Sequence, residues 1–241
     1  MKIAILSDIH GNLEAFREVL RDLEEAQPEK IVCLGDAIGY GPDPEAVVRL
    51  LQSRSIPTLL GNHEWALRHP AHLEWFNPSA RRSLERTLEL LSPEAVRVVT
   101  GWPATLRLEE ALCVHGCPPD SVIRYLFEVS QEEFPALFAS YEEPLCFVGH
   151  THQLLWVRWD GRRVSSGRFR EDVLALDPSC RYIVNVGSVG QPRDGDNRAK
   201  YVLWDTQART IHVRRLPYDI AKTAEKILAL GFPRINADRL W

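Results

Sequence analysis

Eight histidines occur in this chain of 241 residues, and five of them lie in short runs of small and polar residues. The runs are Ser7-Asp8-Ile9-His10-Gly11, Gly35-Asp36, Gly61-Asn62-His63-Glu64, Val114-His115-Gly116 and Gly149-His150-Thr151-His152. In extended backbone, an Asp-x-His or His-x-His pair sends both side chains to the same side, so one strand end can supply two ligands to one ion. These residue types at this spacing predict a metal centre.

The collected donors are carboxylates, one amide oxygen and imidazoles, without a thiolate. They are Asp8, His10, Asp36, Asn62, His115, His150 and His152. The set is too large for one tetrahedral zinc ion, and its mixture of oxygen and nitrogen favours Mn, Fe, Zn, Co or Ni over Ca or Mg. We therefore expect two divalent transition-metal ions, with manganese favoured, that share a bridging carboxylate. Such a pair activates water and clamps a phosphoryl group.

A single run of this kind is weak evidence. A lone histidine after a strand is more often a hydrogen-bonded structural residue than a ligand. Five such runs in order are far more specific, because chance would have to place a donor after each predicted strand. His69, His72 and His212 lie outside the runs, and we assign them to the surface or to packing.

The first half of the chain alternates short apolar runs with helical patterns. Residues 3–6, 31–34 and 56–60 are apolar and predict strands that are covered on both faces. A helix is predicted after the first strand from the helical spacing of its apolar residues. Two more are predicted to begin at Asp43-Pro44 and at Asn77-Pro78, since proline is favoured at the first helical position. Ser130 and Glu133 predict a capping box for a helix before the strand at 145–148.

From residue 105 onward, strands joined by tight turns are predicted. They cover 105–108, 111–114, 154–159, 182–186, 201–204 and 210–216, and a last helix runs from Asp219 to Gly231. A parallel half joined to a strand-rich half predicts an α/β fold with two packed, mixed sheets and helices outside. The polar runs would meet where strands end at their carboxyl side. Without a repeat or linker, we expect residues 1–241 to form a single domain.

The five runs resemble the motif blocks of the calcineurin-like metallophosphoesterase superfamily, over residues 7–152. The resemblance implies a four-layer αββα sandwich. It also implies a first metal held by Asp8, His10, Asp36 and His152, and a second held by Asp36, Asn62, His115 and His150. Asp36 would be the bridge, and His63 would protonate the leaving-group oxygen, a role that imidazole fills near neutral pH.

One departure from the family is informative. In the protein Ser/Thr phosphatases of this superfamily, the second block carries an Asp that orients the catalytic histidine and an Arg that grips phosphate. Gly39 and Tyr40 occupy those places here. This favours the small prokaryotic phosphodiesterase-like branch, which the stretches around Asn185–Ser188 and Gln191–Asp194 also resemble. A phosphoprotein phosphatase and a diadenosine tetraphosphatase are the alternative activities.

We expect direct attack of a metal-bridging hydroxide on a phosphate mono- or diester, with a diester favoured and without a covalent intermediate. Arg193 is the first choice for a phosphate clamp, and Tyr40, Arg124 and Tyr125 lie in segments that could face the substrate. A Trp-rich stretch at 65–102 contains Trp65, Trp75, Phe76 and Trp102. We expect these rings to pack in the core or between subunits rather than to form a lid or stack on a base.

Composition excludes several classes. With 45% hydrophobic and 26% charged residues the chain is globular, and its net charge of −4 gives no basic field for nucleic acid, which is an unlikely partner. Five cysteines favour free thiols in a cytoplasmic protein, and no apolar run is long enough for a signal peptide or membrane span. Homo-oligomerisation stays open. A non-catalytic interaction scaffold is the alternative of another class, against which the intact ligand set argues.

Overall fold

The computed structural model describes residues 1–169 and 171–241. Within them, two mixed sheets pack face to face. The first sheet has the order β2-β1-β10-β11-β8, with β1 Lys2–Leu6, β2 Lys30–Cys33, β8 Val173–Ala175, β10 Ala199–Asp205 and β11 Thr210–Leu216. Only β1 and β2 are parallel neighbours, and the other pairs are antiparallel.

The second sheet has the order β3-β4-β5-β9-β6-β7. Its strands are β3 Thr105–Leu108, β4 Ala111–Val114, β5 Leu145–Val148, β6 Leu154–Trp159, β7 Val164–Arg168 and β9 Arg181–Val186. The strands β4, β5 and β9 run parallel, and β3, β6 and β7 pair with their neighbours in antiparallel fashion. The carboxyl ends of β4 and β5 therefore lie side by side.

Helices cover the outer faces of the two sheets. They are α1 Leu13–Ala26, α2 Pro44–Ser53, α3 Asn62–Arg68, α4 Pro78–Leu90, α5 Pro93–Gly101, α6 Phe134–Ala139, α7 Ile220–Ala229 and α8 Arg234–Asp238. Two 3₁₀ segments, Pro70–Trp75 and Leu126–Glu128, complete the described elements. The expected sandwich of two mixed sheets between helices is confirmed.

The apolar run of β1 is explained by burial on both of its faces. Ile3 and Ile5 point into the core between the sheets, where they join Phe147 of the second sheet. Ala4 and Leu6 point the other way, into the cluster that contains Phe16 of α1. Each face of the strand thus removes apolar surface from water, which contributes about 25 cal/mol for each Å² buried.

Most predicted elements are present, with small shifts at their ends. Asn77 caps α4 by accepting from the backbone N–H of Ser79 and Ala80, and Asp219 caps α7 by accepting from Lys222 N. Asp43 precedes α2 but binds Lys226 Nζ at 2.6 Å instead of a helix N–H.

Two of the expected elements differ from the structure. Residues 56–60 form one isolated bridge, Thr58 to Cys33, and not a strand, because Pro57 has no N–H and Leu60 N donates to Pro103 O, away from β2. At Ser130, Glu133 accepts from the backbone N–H, but α6 starts only at Phe134. The prediction missed α3, α5, α8, β7 and β8.

No helix among the described residues is long and apolar enough to cross a membrane. All five cysteines are free and buried.

Candidate metal centre

The ligand candidates come from both sheets. Asp8 and His10 follow β1, and Asp36 follows β2, both in the first sheet. His115 follows β4, and His150 and His152 follow β5, in the second sheet. Asn62 lies at the start of α3. The structure thus brings all seven predicted ligands to the place where the two sheets meet, and six of them are buried, with Asn62 half-buried.

The backbone at these residues is unusual. Asp8, His10, Asp36, His150 and His152 all have positive φ, between 49° and 65°. Non-glycine residues in this left-handed region cost about 1–3 kcal/mol each and persist only where the surroundings hold them. Here the loops hold one another, since Asp8 N donates to Gly35 O at 3.0 Å and His10 N to Asp36 O at 2.9 Å.

Carbonyl oxygens determine which nitrogen of each ring faces the centre. The Nδ1 atoms of His10 and His152 bind the backbone oxygens of Ile38 at 2.8 Å and Gln191 at 2.6 Å. A carbonyl only accepts, so each Nδ1 carries the proton and each Nε2 presents a lone pair. These two Nε2 atoms lie 3.1 Å apart. Two lone pairs that face each other repel unless a cation lies between them. This arrangement is that of two ligands of one metal ion.

His115 and His150 are oriented in the same way. His115 Nδ1 donates to Leu34 O at 3.0 Å, which turns its Nε2 toward Asp36. His150 uses the other nitrogen, since its Nε2 donates to Ile123 O at 3.1 Å and leaves Nδ1 with the lone pair. A hydrogen bond on the far nitrogen of a ligating imidazole is the usual support of a metal site.

The carboxylate of Asp36 lies at the middle of the cluster. Its Oδ2 is 3.3 Å from His115 Nε2, 3.6 Å from His10 Nε2 and 4.0 Å from His63 Nε2. Three overlapping groups have donor atoms within 4.8 Å of one another. They are Asp8-His10-His152, His10-Asp36-His63 and Asp36-His115-His150.

Asp8 carries a buried oxygen without a hydrogen-bond donor. Its Oδ2 accepts from His150 N at 3.1 Å, but Oδ1 has no donor and lies 3.3 Å from His152 Nε2. An unpaired buried carboxylate oxygen is costly, and a cation satisfies it. Together with the facing imidazoles, this atom shows that the residues present fit a bound metal.

Burial keeps most of the rings neutral and so able to ligate. It lowers the pKa of His150 to about 3 and that of His152 well below its ordinary value. Burial also acts to lower the pKa of His115, but the carboxylate of Asp36 outweighs it and raises that pKa to about 9. Asp36 thus favours the protonated His115 ring, and a metal bound there would have to displace that proton.

Glu64 joins two ligand loops, a role that we did not predict. It is fully buried, and its carboxylate accepts from Asp36 N at 3.0 Å, Gly61 N at 2.9 Å and Ile38 N at 3.2 Å. Burial raises the pKa of Glu64 to about 8. The sequence shows Glu64 as part of the Gly61-Asn62-His63-Glu64 run. No sequence pattern predicts that its carboxylate accepts hydrogen bonds from the backbone of a second loop.

Asn185 and Ser188 support the other side of the centre. Asn185 Nδ2 donates to Gly149 O at 2.6 Å and to Thr151 Oγ1 at 2.9 Å, and Ser188 Oγ donates to Asp8 O at 2.9 Å. In the sequence, this stretch shows only a resemblance to one branch of the family, and nothing in it predicts these hydrogen bonds.

His63 lies against Gly39, at the site where the family's phosphoprotein phosphatases carry an aspartate. A Cβ added to Gly39 would lie 2.2 Å from His63 Nδ1. That nitrogen is buried without a partner, so the ring proton belongs on Nε2, which faces Asp36. The ring is held by edge contacts with Tyr40, at 4.8 Å between centroids, and Phe76, at 5.1 Å.

Arg193 and Tyr40 lie next to each other beside the centre. The guanidinium carbon of Arg193 is 5.5 Å from the centroid of the Tyr40 ring. Arg193 Nη2 donates to Gln191 Oε1 at 2.8 Å, and Nε is buried without a partner. Arg124 points elsewhere, since it pairs with Glu133 at 3.0 Å on the surface.

A cavity of about 260 Å³ opens beside these residues. Trp65, Trp75, Phe76 and Tyr125 line it together with Asn62 and His150. Three of the four rings singled out between residues 65 and 102 thus line a cavity instead of packing in the core, and packing between subunits stays a prediction. Trp102 does pack, against two apolar clusters. His72, assigned to the surface or to packing, also lines the cavity.

Two mixed sheets with a buried cluster of imidazoles and carboxylates between their ends define a metallophosphoesterase. The family model of the calcineurin-like phosphoesterase superfamily domain matches residues 1–209. The chain belongs to this superfamily and is a phosphoester hydrolase with candidate metal ligands.

Relatives cover the chain from end to end. An uncharacterized protein of Methanocaldococcus jannaschii, MJ0912, is 32% identical over 99% of this chain and 97% of its own length. The crystal structure of a metallophosphoesterase from Sphaerobacter thermophilus matches with a TM-score of 0.85 and 36% identity, over 100% of this chain and 98% of that one. Hypothetical protein PH1004 of Pyrococcus horikoshii OT3 shares the fold, with a TM-score of 0.81 at 18% identity over 100% and 97%.

Proposed function

We propose that the protein is a phosphodiesterase that works with two divalent transition-metal ions, manganese favoured. The observation that carries this proposal is the central position of Asp36 Oδ2. It lies within 3.6 Å of both His10 and His115, which belong to different donor groups. A carboxylate shared in this way is the bridge that a pair of ions needs.

The residues divide into two ligand sets around that bridge. Asp8, His10 and His152 would hold a first ion with Asp36, and Asn62, His115 and His150 would hold a second ion with it. Two cations held there would activate water for direct attack on phosphorus and neutralise the phosphoryl oxygens. The protein's own part is to keep the imidazoles neutral and aimed inward, through the carbonyls of Ile38, Leu34 and Gln191.

His63 is proposed to donate a proton from Nε2 to the leaving-group oxygen. Burial lowers the pKa of His63 to about 3, far from the near-neutral value expected of such a group. The negative charge of a bound phosphate ester is what would raise this pKa, because an opposite charge favours the protonated ring. General acids of this kind contribute about 10²–10⁴-fold in rate.

Arg193 and Tyr40 are proposed to bind the substrate's phosphate. The unpartnered Nε of Arg193 is a buried donor that a phosphate oxygen would satisfy. The ring of Tyr40 lies between Arg193 and His10, with its centroid 4.6 Å from that of His10. Tyr40 therefore keeps the guanidinium beside the ligands.

A diester is favoured over a phosphoprotein because of Gly39. Any side chain at this position would collide with His63, so the aspartate of the phosphoprotein phosphatases has no place here. The diadenosine tetraphosphatase activity is the second candidate, and the uncharged aromatic cavity of about 260 Å³ next to the centre could take one of its bases.

We also propose that residues 1–241 act as one domain in the cytoplasm. The residues beyond the family match complete the first sheet with β11, and Asn236 of α8 donates to Tyr40 O at 3.0 Å. The five free, buried thiols suit a reducing compartment.

The test is a screen of the protein reconstituted with each metal against an aryl monoester, an aryl diester, a cyclic nucleotide, a dinucleoside polyphosphate and a phosphopeptide. We expect the diesters to be hydrolysed fastest, with manganese. Strong preference for the phosphopeptide would overturn the diester assignment. No hydrolysis with any metal would favour the scaffold over the enzyme.

A further inference from the structure

The cavity beside the metal centre has two aromatic walls built from different segments. In one wall, Trp65 Nε1 donates to His72 Nδ1 at 2.8 Å, and the His72 ring stacks on Trp75 with centroids 4.2 Å apart and planes 19° apart. In the other wall, Tyr125 stacks on His150 with centroids 3.7 Å apart and planes 13° apart, and Phe127, outside the lining, stacks on Tyr125 at 4.7 Å and 16°. The second wall therefore ends on a candidate metal ligand.

Two aromatic side chains here face water. Trp75, which lines the cavity, is 67% exposed, and Phe127, which lies against Tyr125 outside the lining, is 70% exposed. Exposed aromatic side chains gathered at one opening are unfavourable in water unless a partner covers them, and they mark binding sites. The flat faces of stacked rings accept another flat ring best, because offset stacking is favoured between aromatic groups.

Two polar side chains of the cavity, His72 and Asn77, offer neutral donors. Since His72 Nδ1 accepts from Trp65, its proton is on Nε2. Asn77 Oδ1 accepts from Ser79 N and Ala80 N, which leaves the Nδ2 amide as its free donor. Among the described residues that line the cavity, none is Asp, Glu, Lys or Arg. The cavity thus suits an uncharged planar ring with acceptor atoms on its edge, and not a second phosphate or a charged peptide.

We propose that this cavity binds the nucleobase of a nucleotide phosphodiester whose phosphate lies at the metal centre. The proposal rests on the proposed function and names its substrate class. Asn62 and His150 line the cavity and also belong to the ligand set, so the two sites are directly adjacent. In a nucleotide, the sugar joins the base to the phosphate and would span the distance from the cavity to the metal centre. Trp75 is a specificity residue here, and it does not touch the reacting atoms.

The test compares two diesters with the same leaving group, a nucleoside 5′-(p-nitrophenyl phosphate) and methyl p-nitrophenyl phosphate. Their chemistry at phosphorus is alike, and only the nucleoside differs. We expect kcat/KM of the wild-type protein to favour the nucleoside ester, and Trp75→Ala to reduce this ratio by about 5- to 150-fold, which is what stacking of one base on one aromatic ring is worth. The matched control is Trp241→Ala, because Trp241 is 70% exposed and lies outside the cavity. It should leave the ratio unchanged.

A binding measurement tests the nucleobase site independently of catalysis. Titration with a nucleoside 5′-monophosphate should quench tryptophan fluorescence in the wild type and in Trp241→Ala, and the quenching should be weaker and need higher ligand concentrations in Trp75→Ala, where Trp65 still lines the cavity. Glycerol phosphate, which has no base, should quench none of them.

The outcomes separate the two proposals. If wild-type protein hydrolyses both esters at equal kcat/KM, the nucleobase site is wrong and the phosphodiesterase stands. If it hydrolyses neither with any metal, the phosphodiesterase is wrong, and the substrate class fails with it. If phenyl p-nitrophenyl phosphate equals the nucleoside ester, the cavity accepts any ring and the nucleobase assignment is overturned.

Discussion

Replacement of Gly39 by alanine should disable His63 without removing a metal ligand. The residue has φ +91°, a conformation that side chains rarely adopt, and the new methyl group would lie 2.2 Å from His63 Nδ1. The His63 ring cannot yield easily, because it is buried between Tyr40 and Phe76. We expect the ring to be displaced from the position in which Nε2 faces Asp36.

The size of the effect follows from two separate terms. The backbone term is the cost of holding an alanine at positive φ, in the left-handed region, and it lowers the free energy of unfolding by about 1–2 kcal/mol. The catalytic term is the loss of a positioned proton donor, about 10²–10⁴-fold in rate. The first term lowers the melting temperature of the variant, and only the second depends on the leaving group of the substrate.

Gly161→Ala is the matched control for Gly39→Ala. Gly161 has φ +88°, but nothing lies within 4 Å of an added Cβ, and it lies in the turn between β6 and β7. This variant should lose only the backbone term of stability, without the cost of displacing a buried ring, and keep the activity of the wild type. The pair thus separates backbone strain from displacement of His63.

The assay measures kcat/KM on a diester with an alkoxide leaving group and on a nitrophenyl diester, with metal content and melting temperature measured in parallel. Gly39→Ala should lose activity chiefly on the alkoxide ester, since nitrophenolate leaves without a proton. His63→Ala should show the same pattern. Equal losses on both esters, or a folded Gly39→Ala variant with full activity on the alkoxide ester, would refute the assignment of His63 as proton donor.

Three further predictions concern the metals and the acid stability. Asp36→Asn should lower the occupancy of both ions, whereas His152→Ala should chiefly weaken the first; two ions retained in both variants by elemental analysis would contradict the bridge. Chelation should lower the melting temperature by about 5–15 °C, because ions at 100 to 1,000 times their Kd stabilise the fold by about 3–4 kcal/mol. An unchanged melting temperature would show that the ions do not stabilise the fold. Burial acts to raise the pKa of Asp22, but hydrogen bonds from Arg214 and Tyr201 hold it below its ordinary value. Asp22 therefore stabilises the fold above its unfolded pKa of about 4, and this is lost as the pH falls through the folded pKa. Asp22→Asn should accordingly flatten the acid fall in the free energy of unfolding, and a fall as steep as in the wild type would count against this ion pair.

The grouping of these side chains could be predicted from the sequence because it depends on residue type and order. Asp8-x-His10 or His150-x-His152 alone is a weak signal, but five such runs in order, each after a predicted strand, predict one shared site. The strands themselves are indicated by their apolar runs. The structure brings these ligands together. What the sequence lacks is the geometry that makes them usable: five of them have positive φ, and the proton positions of the rings follow from carbonyls such as Ile38 O.

The errors have local physical causes. The apolar run at 56–60 has the composition of a strand, but Pro57 removes a donor and the chain leaves β2 after one bridge. The strand β7 was missed because Ser165 and Ser166 are exposed on an edge and carry no apolar signal. The aromatic cavity was missed because its two walls come from 65–76 and 123–125, which only the fold brings together.

The pairing of the first strand with one of the last has a consequence for the order of synthesis. β1 pairs with β10, and the loop after β9 closes over the first ligand, where Gly190 N donates to Asp8 O at 2.9 Å. A chain grows from its amino end, so Asp8 and His10 are made first but cannot take their positions until residues 188–205 have emerged. The proposed ligand set would then be complete only late in folding, and metal loading would follow the pairing of β1 with β10.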